Sequence, residues 1–163
     1  MTEERGPDID RSIYAMPMFV NIVVSDLPAA ERVYTAAGFV TLATIPGPDG
    51  APVLVHLRRQ KYQDILMTHG VAAKGSMSAS FAAGDVDLDA VAERLRASAA
   101  EVTGPDDTAW FSTDLSFTDH DGNTMTLTAP RAADRAQAVE WASEAITGDF
   151  IVPEPPSTFS NAR

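Results

Sequence analysis

Residues 117–130, FTDHDGNTMTLTAP, read as a turn feeding a strand. Asp119 and Asp121 bond the local backbone of such a turn, and Gly122 gives it the conformational freedom it needs. In the strand that follows, Thr124, Thr126 and Thr128 alternate with Met125 and Leu127, so one face carries hydroxyls and the other is apolar. That alternation describes a sheet covered on one side only. With WFSTDLSFT ahead of the turn, the segment predicts two antiparallel strands, and the rest of the chain decides what sheet they belong to.

Working outward, a short EVTGP segment and a DD turn lead into this hairpin. Ahead of them GDVDLDAVAERLRASAA predicts a capped helix with Leu88, Val91, Ala92 and Leu95 on one face, and MSASFAA predicts a strand. The same order occurs about 60 residues earlier. MFVNIVV is a β-branched strand, and SDLP supplies an N-cap with Pro28 in the first helical turn. A helix over about Leu27–Ala37 ends at Gly38, and FVTLATI, APVLVHLR and QDILMTH are three strands, the first two joined by the PGPDG turn. Strand, helix and three strands thus occur twice, which predicts an α+β fold of two tandem βαβββ modules, about 17–70 and about 76–129. Residues 1–16 form a polar arm, mobile or loosely docked. Residues 130–163 form a C-terminal helix with a stripe of Ala138, Trp141, Ala142 and Ala145, then a proline-rich coil. Two readings of this tail stay open: a packing helix with a frayed end, or a lid or subunit contact through Trp141 or the stretch around Phe150.

Composition narrows the function. Twelve Lys and Arg against 23 Asp and Glu give a net charge of −11, which repels phosphate backbones and anionic lipid. Nucleic-acid and membrane partners are not expected. Without cysteine there is no thiolate metal site and no cysteine nucleophile. The start of the chain is acidic and no apolar run approaches the roughly 18 residues of a membrane span, so a soluble cytoplasmic protein is expected.

Two motifs carry a resemblance. MFVNIVVSDLPAAERVYTAAGF, with Val24, Asp26, Leu27, Tyr34, Gly38 and Phe39, resembles the opening of the vicinal oxygen chelate superfamily, which includes glyoxalases, bleomycin-resistance proteins and extradiol dioxygenases. DHDGN at 119–123 resembles the D-P-D-G-N turn before that family's last strand, with His120 in place of proline. The resemblance covers about residues 17–129, taken as a single domain. It implies that the two modules form a curved mixed-sheet cleft with helices outside. In metal-dependent members a histidine stands seven residues before the aspartate, and a glutamate three after the asparagine. Those places hold Phe19, Ser78 and Thr126 here, and the fourth falls at about Leu66. Divalent transition metals are held by imidazole, thiolate or carboxylate, so no metal and no other cofactor is expected.

Strand parity then lists the cleft face. Phe19 and Asn21, Ser78 and Ser80, Thr124 and Thr126, and Leu66 and Thr68 should face it, with His56 on a bordering strand and Trp110 as an aromatic wall. Asp64, Asp114 and His56 are the candidate catalytic groups, because a partly desolvated carboxylate or imidazole there could act as a base or pair with a cation. His69 alternates to the far side, and Asp26 and Asp85 precede or cap helices. Such a pocket suits an uncharged or cationic organic molecule. The resemblance points first to a binding protein that sequesters an antibiotic or an aromatic or cationic metabolite, held at the groove of a homodimer. The alternative is a metal-free or displaced-metal enzyme, a lyase, isomerase or dioxygenase-like catalyst.

Overall fold

The computed structural model describes residues 9–12, 16, 18–75, 77–98 and 100–149. The first module runs β1 (Phe19–Val24), α1 (Leu27–Ala36), β2 (Val40–Pro46), β3 (Pro52–Arg59) and β4 (Gln63–His69). The second runs β5 (Ser78–Ala82), α2 (Leu88–Ala97), β6 (Glu101–Asp107), β7 (Ser112–Thr118) and β8 (Thr124–Pro130). A 3-10 turn (Ala132–Asp134) and α3 (Arg135–Ala145) follow. Each module makes one mixed four-stranded sheet, ordered β1-β4-β3-β2 and β5-β8-β7-β6. The α+β class and the tandem βαβββ organisation are those expected. Among the described residues no helix is long and apolar enough to cross a membrane.

Local chemistry explains the helix ends. The Asp26 carboxylate accepts from the Ala29 amide at 3.0 Å, offsetting an orphan donor of the first turn of α1. Asp87, two residues past Asp85, does the same for α2, accepting from Asp89 and Ala90. Both helices lay an apolar stripe on their own sheet. These stripes and the inner sheet faces, including Ile22, Val24, Ile65, Met67, Leu115, Met125 and Leu127, merge into one core. Aromatic rings cross between modules: Tyr34 meets Phe117 edge-on with centroids 5.7 Å apart, and Phe39 meets Phe81 at 5.6 Å. The other face of each sheet looks away from this shared core.

Each module also grips its neighbour with a hairpin tip. At the β7–β8 turn, Asp119 accepts the amides of Asp121 and Asn123, the Asn123 side-chain amide and the buried Tyr34 hydroxyl. Asp121 reaches further, accepting from the Ser25 amide and hydroxyl in the first module. Gly122 is required there, because its φ is +80° and a Cβ would stand 2.9 Å from the Gly75 amide nitrogen. At the β3–β4 turn the polarity is reversed. Arg59 donates to the carbonyls of Ala82 and Ala83, and Gln60 and Gln63 donate to the same pair. Burial lowers the Arg59 pKa below its ordinary value.

Two expectations are corrected. Asp106 and Asp107 do not turn the chain: β6 runs through them, and the reversal comes at Thr108–Phe111. Trp110 and Phe111 therefore belong to the turn, and β7 starts at Ser112. Side-chain pairing decides this, since Asp107 takes the Thr113 hydroxyl across the strands and Thr108 bonds Ser112 across the turn. Phe111 has φ 64°, a strain of about 1–3 kcal/mol for a bulky residue. Its ring lies 5.6 Å from the Arg131 guanidinium and 6.0 Å from the Trp141 ring, which fixes both the turn and α3. The stretch around Phe150 lies outside the described residues.

Tyr34 gives a test of the shared core. Its hydroxyl donates to Asp119 at 2.9 Å, and burial first, then the Asp119 charge, raises its pKa far above the ordinary value. A raised pKa contributes stability that is present below the unfolded value of 10.0 and is lost as pH climbs past it. Above that value the wild type should lose up to about 1.4 kcal/mol per pH unit that Tyr34→Phe does not lose. At neutral pH, Tyr34→Phe should be about 1.5–3 kcal/mol less stable in urea titrations, since it strips a donor from a buried carboxylate.

Candidate functional site

The strand pairings assemble the open faces in rows. On the first sheet Phe19 pairs with Asp64, which pairs with Arg58; Asn21 pairs with Leu66, which pairs with His56; Val23 pairs with Thr68, which pairs with Leu54. On the second sheet the rows are Ser78, Thr124 and Thr118; Ser80, Thr126 and Ser116; and Ala82, Thr128 and Asp114. The parity is as read from the sequence: Phe19 is 42% exposed and Val23 45%, while Ile22 and Val24 between them are buried. The registers also settle the fourth position. Leu66 stands two residues beyond the partner of Phe19, as Thr126 stands two beyond the partner of Ser78.

β1 and β5 are edge strands of their sheets, and a cleft of about 640 Å³ opens between them. Phe19, Asn21, Ser78 and Ser80 line it, as does Asp64. Leu66, Thr68, Thr124 and Thr126 lie one strand further in on the open faces, and His56 and Asp114 two strands in. Trp110 sits in the β6–β7 turn, 60% exposed, and does not line the cleft. Further lining residues that escaped sequence reasoning include Met18, Val20, Tyr62, Met77, Ala79 and Phe81. Phe81 alternates to the helix side, yet β5 is an edge, so its ring both packs on Phe39 and borders the gap. The usable signal was Phe81 in a strand of otherwise small residues.

The two open faces differ in chemistry. On the first sheet Asp64 Oδ1 accepts from Arg58 Nε at 2.8 Å and His56 Nε2 at 2.6 Å, all three side chains being buried. Residues 9–12 pack against the Arg58 end of this group. Arg58 Nη1 donates to the carbonyls of Asp10 and Ser12, Ile9 is buried, and the Tyr62 hydroxyl donates to the Asp10 carboxylate. The Ser12 amide and the Tyr62 hydroxyl lower the Asp10 pKa below the ordinary carboxylate value. No isolated stretch of sequence announces this docking, which joins residues about 50 apart. On the second sheet the hydroxyls pair with each other: Ser116 with Thr126 at 2.8 Å and Thr118 with Thr124 at 3.4 Å, while Asp114 takes both Ser112 and Thr128.

The four positions that the resemblance drawn from the sequence implies for metal ligands carry Phe19, Leu66, Ser78 and Thr126. Two have no donor atom and two are neutral hydroxyls, one of them already bonded to Ser116. That donor set does not fit a divalent transition metal. Among the described residues no group of three His, Asp or Glu side chains comes together.

No family model matches the chain, and no curated protein does. Solved structures match. A glyoxalase/bleomycin resistance protein from Streptomyces sp. CB03234 is 27% identical with a TM-score of 0.53, over 67% of this chain and 96% of its own. TnmS3, an antibiotic binding protein from the same organism, is 26% identical with a TM-score of 0.53, over 69% of this chain and 93% of its own. A bleomycin resistance determinant encoded on the transposon Tn5 is 14% identical with a TM-score of 0.53, over 69% and 96%, and speaks for the fold alone.

The donor set yields a direct test. Protein purified without chelator and then exposed to Zn, Ni, Mn and Fe should retain none of them stoichiometrically after desalting, as elemental analysis measures.

Proposed function

We propose that this chain, whose fold is that of the glyoxalase/bleomycin resistance proteins of the vicinal oxygen chelate superfamily, binds a small organic molecule in the cleft between β1 and β5 without a metal. The observation that carries this reading is the cleft's lining. Phe19, Phe81, Met18 and Met77 offer ring and thioether surface, while Asn21, Ser78 and Ser80 offer amide and hydroxyl groups. Apolar walls supply contact area and a few polar groups fix orientation, which is how organic ligands are held. Antibiotic binding is what one similar protein is named for, and an antibiotic or aromatic metabolite is the class proposed here. The site residues are Phe19, Asn21, Ser78 and Ser80 at the cleft, with Leu66, Thr68, Thr124, Thr126 and His56 on the adjoining faces.

A homodimer and a cytoplasmic location belong to the same proposal. Each open sheet face is half of an enclosure, and a second copy of the chain would supply the other half. Catalysis is the second reading, favoured by one contact, His56 to Asp64 at 2.6 Å, which orients an imidazole as a base would need.

Thermal-shift screening with antibiotics and aromatic metabolites checks the first reading, because a ligand that binds only the folded state raises its stability. Hits should lose about ten-fold or more in affinity in Phe19→Ala, as expected for a lost aromatic wall. Mass spectrometry of the recovered compound should find it unchanged; a chemically altered ligand would favour catalysis instead.

A further inference from the structure

One carboxylate oxygen at the cleft has no partner in the protein. Asp64 is 1% exposed and lines the cleft beside Phe19, its cross-strand neighbour. Its Oδ1 accepts from both Arg58 and His56, and its Oδ2 is buried with no hydrogen bond. Buried polar atoms are nearly always paired, and an unpaired carboxylate oxygen is among the least tolerated exceptions. The contrast within this molecule is sharp: Asp119, also buried, has four donors on its two oxygens.

We propose that Asp64 Oδ2 is the anchor for the ligand, and that it selects a neutral aromatic molecule carrying a hydroxyl, whose O–H it accepts while the ring lies against Phe19. The assignment rests on the binding reading above and narrows it. A carboxylate oxygen can only accept, so an ether, ketone or carboxylate at the same place would bring two acceptors together. A hydroxyl donating to an ionised carboxylate makes one of the stronger hydrogen bonds available.

The choice of a neutral donor over a cation follows from Arg58. Its guanidinium already lies 2.8 Å from the same carboxylate, so the pair is close to neutral. An ammonium group would meet repulsion from Arg58 that offsets part of its attraction to Asp64, and would still have to shed its hydration on entering a buried site. The net charge of −11 acts from further away and is screened over about 8 Å at physiological salt. The contact at 2.8 Å therefore outweighs it.

Three probes of one shape test this on the full chain at neutral pH: 2-naphthol, 2-methoxynaphthalene and naphthalen-2-ylmethylammonium, titrated by calorimetry. The naphthol should bind about ten-fold or more tightly than either of the others. Asp64→Asn keeps an oxygen for Arg58 and His56 but places an N–H where Oδ2 was. In that variant the preference for naphthol over the methyl ether should vanish or reverse. Equal binding of naphthol and its ether by the wild type would overturn the proposal and leave the binding reading standing, as would tightest binding of the ammonium. An unaltered naphthol preference in Asp64→Asn would overturn it too. Failure of all three probes to bind would overturn this proposal, while the thermal-shift screen with antibiotics decides the binding reading separately. Should the variant not fold, the wild-type ratios decide alone.

Discussion

Two hairpin tips hold this molecule in its working shape. Each module extends its last turn across the other, so the relative placement of the sheets is set by a few directed hydrogen bonds at two ends and by an apolar core between them. One tip is acidic, with Asp121 accepting from Ser25; the other is basic and amide-bearing, with Arg59 and Gln60 donating to backbone carbonyls of the second module. The pairing is complementary without being an ion pair: the buried charge at each tip is met by neutral partners, Asp121 by the Ser25 amide and hydroxyl and Arg59 by backbone carbonyls. Because β1 and β5 end at these tips, the width of the cleft between them is fixed by the same bonds. The edge strands that would otherwise invite pairing with another chain become the walls of a site.

Duplication gives the two halves the same skeleton, and the side chains then diverge. Where the first sheet places Arg58, Asp64 and His56, the second places Thr118, Thr124 and Ser116 in matching rows. One face is built from charge and is partly roofed by the arm through Arg58, Asp10 and Tyr62. The other is a surface of hydroxyls. The cleft between β1 and β5 opens beside these two unlike faces, an asymmetry that a symmetric pair of sheets would not provide.

Much of this was legible in the sequence. The spacing of caps, turns and β-branched runs gave both modules, and alternation put Phe19, Asn21, Ser78 and Ser80 on one face; because β1 and β5 are edge strands, Val20, Ala79 and Phe81 of the opposite face border the gap as well. The absence of imidazole and carboxylate at Phe19, Ser78 and Thr126 was equally plain. What alternation does not encode is how far apart strands end up and what lies over them. Trp110 looked like a strand residue because aromatic side chains favour strands, yet Thr108 and Ser112 bond across it and make it a turn. Asp64 was placed on the correct face, but its pairing with Arg58 and the arm above it are long-range contacts with no local signature. Tyr62 and Met77 flank strands and enter the cleft only because the modules meet where they do.

The hydroxyl rows on the second sheet have a consequence for recognition. In Ser116 with Thr126 and Thr118 with Thr124, either oxygen can be the donor, so rotating both O–H groups together reverses a pair. Such a surface has no fixed polarity: it answers an approaching carbonyl or an approaching amine by turning its protons. The hydroxyl pairs of the second sheet can thus adapt their polarity, whereas the Arg58–Asp64 pair of the first sheet is committed to one direction of donation.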